Sequence, residues 1–372
     1  MSRDVVVVGA GVIGCACAFE LASAGARVSV FDVRQVGQGA SQASAGVLAP
    51  YIEGHEASPL RELGRRSLDL YDGFMARLGT AGAPAVQYSR GGTLEIALEA
   101  EHAENLQRSI PALTADAVGA RWIDAAELRH VEPLASTQAL GGLLIDRHGF
   151  VSVPQFTEAL ASAAMLAGAT FALESQVVAI DPAGGGGVDV RTEHGVSHAD
   201  DVVLAAGSWT GQVRVAGGSP VPDVKPVRGQ LLHLAWPTSQ PLRHILWGTD
   251  CYIVPWQNGR VLVGATVEDV GFDERATAAG VRDLLEAGCS LVPQLWQASF
   301  EEVRVGLRPA SPDALPIVGR SQIVRGLIYA TGHYRNGVLL APLTAALVKA
   351  IVFEKDDDPA LKVLAPGRLG TY

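Results

Sequence analysis

Cysteine, charge and long apolar runs are all scarce in this chain. Its 372 residues include four cysteines, Cys15, Cys17, Cys251 and Cys289, and no CxxC. That spacing builds no disulfide framework and points to a reducing, cytoplasmic compartment. Basic residues are outnumbered 29 to 39, giving a net charge of −10. This balance argues against a nucleic-acid partner and supplies no electrostatic attraction to anionic lipid. The apolar run Val5–Phe19 is too short to span a bilayer, and Asp4 neutralises Arg3 where a signal peptide needs a basic leader. No transmembrane segment is expected. No repeat of fixed period, low-complexity tail or nucleophile elbow occurs. The nine histidines form no metal-ligand set, with His130, His148 and His194 expected in loops or on the surface. An apolar fraction of 48% with 18% charged residues is that of a folded protein, and the length calls for two lobes.

What is present begins at the N-terminus. The β-branched run Val5–Val8 reads as a parallel strand buried on both faces. Gly9-Ala10-Gly11-Val12-Ile13-Gly14 follows, then a helix ending near Ala24-Gly25 and a second strand, Val28–Phe31, that delivers Asp32. The three glycines of such a GxGxxG serve a tight turn, close approach to a pyrophosphate, and close helix–strand packing. The helix N-terminus offers N–H groups and a positive dipole end to that phosphate. Asp32, 18 residues after Gly14, stands where a carboxylate accepts from ribose hydroxyls. A glycine-rich turn alone occurs in any α/β protein; strand, loop, helix, strand and acid in order favour a dinucleotide. NAD and FAD share this half.

Residues 37–50, rich in Gly, Ala and Ser, read as an ordered loop crowding a large ligand. Residues 60–80 have helical spacing, with Leu60, Leu63, Ser67, Leu70, Phe74 and Leu78 on one face. Gly91–Ile96 and Gly141–Val151 read as strands, the second with a turn at Arg147-His148-Gly149; helices are expected between Asp124 and Pro133 and over 154–167. Segments 176–181 and 188–193 flank the turn Gly184–Gly187 as a hairpin. Residues 226–308 carry strands separated by turns such as Gln257-Asn258-Gly259, with a helix near 276–290, and read as mainly antiparallel.

Asp201–Trp209 and Gly326–Gly332 repeat the opening pattern, a buried strand ending at glycine. Ligands of open parallel sheets sit at the carboxyl ends of strands, so the ends at Gly9, Gly207 and Gly332 are expected to line one cofactor. Three ends drawn from across the chain suit a long, embedded FAD better than NAD. The last of them feeds Gly332-His333-Tyr334-Arg335-Asn336-Gly337 into an apolar helix. Its N–H groups, at Asn336, Gly337, Val338 and Leu339, suit the negative N1–C2=O2 edge of a reduced flavin. No second dinucleotide fingerprint occurs, so electrons are expected to leave to O2 or another small acceptor. The expected fold is α/β: a Rossmann-like FAD-binding domain (1–85, 150–225 and 306–372) interleaved with a mainly antiparallel, α+β substrate-binding domain (86–149 and 226–305).

GLRP at 306–309 and TGHYRNGVLLAP at 331–342 are more particular than a GxGxxG. Together with GAGVIG (9–14), GASQASAGVLAP (39–50), RGQLL (228–232), CYIVP (251–255), GRVLVGAT (259–266) and LPIVG (315–319), they carry a resemblance running nearly end to end. The chain resembles the D-amino-acid oxidase superfamily of FAD amine oxidoreductases, and within it the glycine oxidase group of the bacterial thiamine pathway. The resemblance implies non-covalent FAD and a homo-oligomer. It implies cofactor contacts from Gly9, Gly11, Val12, Ile13 and Gly14, and from Asp32, Val33 and Arg34. Further contacts are implied from Ala40, Ser41, Ala45, Gly46, Val47 and Leu48, from Val177, Ala206, Gly207 and Trp209, and from His333 and the helix start. Arg308 matches the arginine that grips a substrate carboxylate and also reaches the flavin. Tyr252 matches the tyrosine that assists it, and Arg335 matches the arginine between flavin and substrate. Asp250, Val267 and Leu48 are implied near the substrate. Read without the resemblance, Arg308 is an ordinary interlobe salt bridge and Tyr252 a half-buried strand aromatic.

The chain departs from the pattern at Asp32, where many members carry Glu, at Asp250, where some carry His, and at Val267, where Met occurs. Residues 51–56 are the expected lid. The activity implied is oxidation of a small amino acid at Cα: glycine, sarcosine or a small D-amino acid. The neutral amine drives hydride departure to flavin N5, and the imine hydrolyses to an oxo acid and ammonia. The rival readings are a flavin dehydrogenase of D-, N-methyl or cyclic amino acids using a quinone, a non-catalytic flavin-binding partner protein, and an NAD(P)-dependent reductase.

Overall fold

The strand β1 (Asp4–Val8) faces two cores at once. Val5 and Val7 pack among helices, while Val6 and Val8 pack against a second sheet, the alternation of a strand buried on both sides. The computed structural model describes residues 3–52, 58–116, 118–236, 239–256, 259–355 and 357–372. β1 leads through Gly9–Gly11 into α1 (Val12–Ser23) and then β2 (Arg27–Phe31). These belong to a six-stranded sheet ordered Ile317–Arg320, Leu327–Thr331, Asp201–Leu204, β1, β2, Thr170–Ala172. All its pairs are parallel except the one made by Ile317–Arg320. The three strands expected from their glycine ends are therefore immediate neighbours. One face is covered by α1, by α2 (Pro59–Thr80) and by the helices Val153–Leu166 and Gly337–Val352. The other packs on a four-stranded sheet that contains the expected hairpin, Val177–Pro182 with Val188–Thr192.

The second large sheet has eight strands, ordered Ser299–Ala310, Lys225–Ala235, Arg260–Gly264, Tyr252–Trp256, Ile245–Trp247, Thr93–Ala97, Gly141–Ile145 and Ala120–Asp124. It is antiparallel apart from one parallel pair, Ile245–Trp247 with Thr93–Ala97. The chain thus passes between the two sheets repeatedly.

Three local expectations differ in detail, and one helix was not foreseen. The turn expected within Gly141–Val151 falls one residue earlier, at Asp146–His148, and the strand beyond it, Gly149–Val151, pairs with Val47–Leu48 and Tyr88–Ser89 in a separate three-stranded sheet. His148, expected in a loop or at the surface, lies in that turn but is fully buried, with Nδ1 2.7 Å from Thr93 Oγ1 and its ring stacked on Tyr51. On α2, Leu63, Ser67, Phe74 and Leu78 are buried as expected, but Leu70 is exposed and Leu68 and Tyr71 are buried in its stead. A helix at Ala100–Ala115, unforeseen and carrying Pro111 inside it, packs on the large sheet through Ala103, Leu106 and Leu113. The turn residues Gln257 and Asn258 and the lid residues Glu53, Gly54, His55 and Glu56 lie outside the described residues.

Tyr334–Val352 is long and apolar enough by composition to cross a bilayer, but most of it is buried, with the helix packed against α1 and α2. Pro342 lies inside this helix and has no N–H to give the carbonyl of Val338. The hydroxyl of the fully buried Tyr71 donates to that carbonyl instead.

Candidate active site

A cavity of about 560 Å³ opens where the six- and eight-stranded sheets meet. The ends of β1, of Asp201–Leu204 and of Leu327–Thr331 all reach it, through Gly9, Gly207 and Thr331. Of the residues expected to touch cofactor or substrate, all line it except Gly14, Leu48 and Gly332; at the third strand end Thr331 takes the place expected of Gly332, which faces Ser311 and Ile317 instead. Gly14 serves the fold: a Cβ there would sit 1.8 Å from the Gly9 carbonyl oxygen, so only glycine lets α1 approach β1 this closely. Leu48 points the other way. In the short strand Val47–Leu48 successive side chains alternate, so Val47 faces the cavity and Leu48 is wholly buried in the helical core.

At the β1–α1 end the elements are in the expected places. Asp32 accepts from Ala10 N–H at 2.6 Å and Arg34 N–H at 2.8 Å, which fixes the carboxylate on the cavity wall. One N–H of the α1 terminus is already used: Ser41 Oγ accepts from Val12 at 3.0 Å. Gly11 is open, and a Cβ built there meets only Ser41 Oγ, at 3.5 Å. Arg34 makes a bidentate pair with Glu274 at 2.9 and 2.7 Å, and its guanidinium lies 4.5 Å over the Trp209 ring. Glu274 belongs to the segment after the strand Arg260–Gly264, so this pair ties the two lobes together beside the cavity.

The opposite wall comes from the eight-stranded sheet. Arg308 lies near the end of Ser299–Ala310, and its Nη1 donates to the carbonyls of Thr266 at 2.9 Å and Arg228 at 3.4 Å. No carboxylate among the described residues pairs with it, so it is not the interlobe salt bridge of the plain reading. Its guanidinium rests on Gly229, where a Cβ would be 2.3–2.5 Å away. Tyr252 rests in the same manner on Gly264, its cross-strand partner, where a Cβ would meet the hydroxyl oxygen at 2.6 Å. Trp247, the partner on the other side, stacks on Tyr252 at 4.8 Å and lines the cavity. Trp247 was not expected in the site. Its cross-strand register with Tyr252 across the 248–251 turn is the signal that could have found it. Asp250 and Val267 border the opening, both exposed.

The loop before the helix Gly337–Val352 closes the third side. Tyr334 holds φ +47°, the left-handed region that non-glycine residues seldom adopt, and the Arg335 guanidinium stacks 5.2 Å from its ring. His333 is buried, with Nε2 3.0 Å from Thr344 Oγ1, and burial pushes its imidazole down to about 3. It is therefore neutral in the folded protein, whereas the unfolded chain takes up a proton below about 6.5. Stability falls as pH drops from about 6.5 towards 3, by about 1.4 kcal/mol per unit from this residue alone. Thermal melts across that range should lose this slope in His333→Asn; an unchanged slope refutes the assignment.

These features fit a flavin dinucleotide. Gly11 leaves backbone bare at a helix N-terminus, Asp32 waits one turn away at the end of β2, and a second helix begins at Gly337 on the same cavity. A dinucleotide cradle sharing one cavity with an arginine-bearing antiparallel sheet defines a two-lobed flavin oxidoreductase. The chain belongs to the family of FAD dependent oxidoreductases (DAO), which matches residues 4–351. Glycine oxidase of Geobacillus kaustophilus is 35% identical over 95% of this chain and 93% of its own. The crystal structure of glycine oxidase from that organism superposes with a TM-score of 0.92 at 34% identity, covering 99% of both chains. The bifunctional protein ThiO/ThiG of a Nostoc species is 35% identical over 97% of this chain, which spans 54% of that longer protein. Iminodiacetate oxidase from a Chelativorans species is similar in structure, with a TM-score of 0.90 at 28% identity over 97% of this chain and 98% of that one.

Proposed function

We propose that the protein oxidises a small amino acid at Cα, glycine before sarcosine or a small D-amino acid, to an imine that hydrolyses to an oxo acid and ammonia. The observation that carries this reading is Arg308, a guanidinium on the cavity wall held by two carbonyl oxygens. Its charge is left for an anionic ligand, and its fork suits a carboxylate through charge-assisted bonds worth ~1.5–3 kcal/mol. The stacked pair Trp247–Tyr252 walls the same region and favours a substrate with little or no side chain. The relatives' names, glycine oxidase and iminodiacetate oxidase, describe carboxylate-bearing amines and support the same class.

FAD, held non-covalently, supplies the two-electron acceptor for the Cα hydride. The chain's own residues bind and orient. Arg308 anchors the carboxylate, Tyr252 assists it, Arg335 borders substrate and cofactor, and Asp250 and Val267 border the entrance. No side-chain base is required of the protein if the amine enters neutral, so its contribution is positioning. In this reading residues 1–85, 150–225 and 306–372 form the cofactor domain and 86–149 with 226–305 the substrate domain. The strand Ser299–Ala310 crosses from one to the other. O2 is the acceptor, and the protein works as a cytoplasmic homo-oligomer.

The test is anaerobic. Glycine added to the yellow holoprotein is expected to bleach the flavin absorbance, and air to restore it. Bleaching that air does not reverse would favour the dehydrogenase reading. A flavoprotein that glycine, sarcosine and D-alanine all fail to bleach would reject the substrate class.

A further inference from the structure

Two arginines stand on neighbouring strands, and only one of them has carboxylate partners. Arg228, almost fully buried, pairs with two acids, Nη2 donating to Glu268 Oε2 at 2.5 Å and Nη1 lying 3.2 Å from Asp273 Oδ2, and its Nη1 also donates to the carbonyls of Arg275 at 3.1 Å and Asp273 at 3.4 Å. Arg308 takes only carbonyls, those of Thr266 and Arg228. The orientation of Arg308 therefore depends on what holds Thr266.

Part of that support is backbone, Thr266 N–H donating to the Gln230 carbonyl at 3.2 Å, and the side-chain part is Glu268. Its Oε1 accepts from Thr266 Oγ1 at 2.6 Å and from Gln230 Nε2 at 2.7 Å. Thr266 Oγ1 in turn accepts from Gln230 N–H at 2.9 Å, and the backbones of Arg228 and Glu268 bond to each other in both directions. Arg228 and Gln230 flank Gly229, whose missing Cβ makes room for the Arg308 guanidinium. The Arg228-Gly229-Gln230 run is thus one device: its outer residues grip Glu268, and its glycine seats Arg308.

We propose that Glu268 is a positioning residue for Arg308, acting through the hydroxyl and carbonyl of Thr266. This rests on the reading of Arg308 as the carboxylate anchor. Burial raises the Glu268 carboxyl, but hydrogen bonds from Arg228, Thr266 and Gln230 outweigh it and hold the group at about 2, so the network stays ionised at any working pH.

The test uses the holoenzyme, with acetate as a bare carboxylate probe titrated against the flavin absorbance, alongside KM and kcat for glycine. Glu268→Ala is expected to raise both the acetate Kd and the KM about tenfold, the loss of roughly one well-made hydrogen bond, with kcat and FAD content nearly unchanged. Glu268→Gln keeps an oxygen for Thr266 and Gln230 but turns its amide NH2 towards Arg228, so it is expected to fall between the parent and the Ala variant, about threefold weaker than the parent, less than 1 kcal/mol. Acetate binding unaltered in Glu268→Ala would overturn the proposal. So would a Gln variant as impaired as the Ala variant, which would assign the effect to charge. Should Glu268→Ala not fold, Thr266→Val removes the same link and must weaken acetate in the same direction. Arg308→Ala is the control. If it too leaves acetate binding unchanged, the anchor reading itself fails, an outcome separate from failure at Glu268 alone.

Discussion

Arg308→Ala should raise the KM for glycine, and the Kd for acetate, about 100-fold or more, because truncating one partner of a hydrogen-bonded charge pair costs roughly 2–5 kcal/mol. The effect should fall on substrate capture while the fold and the flavin remain. Arg308 has no ion pair among the described residues, and its removal frees only two carbonyls that can turn to water. The melting temperature should therefore move by only a few degrees, on the order of 1 kcal/mol. Steady-state kinetics with a flavin absorbance spectrum check both halves. A variant that keeps its KM removes Arg308 from the substrate site.

The second large effect concerns the cofactor. Gly11→Val should weaken FAD binding about 1,000-fold, on the order of 4 kcal/mol, while the apoprotein still folds. Gly11 sits at φ −75° and ψ 180°, extended backbone open to any residue, and its nearest neighbour outside the helix is 3.5 Å from a built Cβ. The added side chain fills the cavity and strains nothing else. Gly14→Ala is the contrasting case. Its Cβ would collide with the Gly9 carbonyl at 1.8 Å, so the loss should be of folded protein. Circular dichroism and flavin content, measured on both variants, separate the two outcomes. If Gly11→Val purifies yellow, the pyrophosphate does not lie over Gly11.

The legible parts of this molecule were those fixed locally. Strand, glycine loop, helix and acid stand within the first 32 residues, and the strands ending near Gly207 and Gly332 announce themselves by the same grammar. The opening of all three strand ends onto one cavity followed from that grammar, whereas Tyr252 and Arg308 were reached only through the family resemblance. What stayed hidden depends on tertiary partners. His148 reads as a turn residue because nothing nearby in sequence reveals that Thr93 and Tyr51 enclose it. Leu48 entered the expected site only through the family resemblance, and in the structure its neighbour Val47 takes the cavity side of that short strand. Glu268 looks like any loop acid, and its partners lie some 40 residues upstream in Arg228 and Gln230.

The tyrosine that meets a proline at the flavin-side helix carries a consequence for how this protein can vary. Tyr71 supplies from outside the helix the donor that residue 342 withholds, so the two positions behave as one peptide group divided between distant segments. A change at either position alters the worth of the other. An alanine at 342 would make the phenolic hydroxyl redundant, and a phenylalanine at 71 would strand a buried carbonyl only while proline remains. Substitutions at such a pair are not additive, and their history in any lineage of this fold should run in a preferred order.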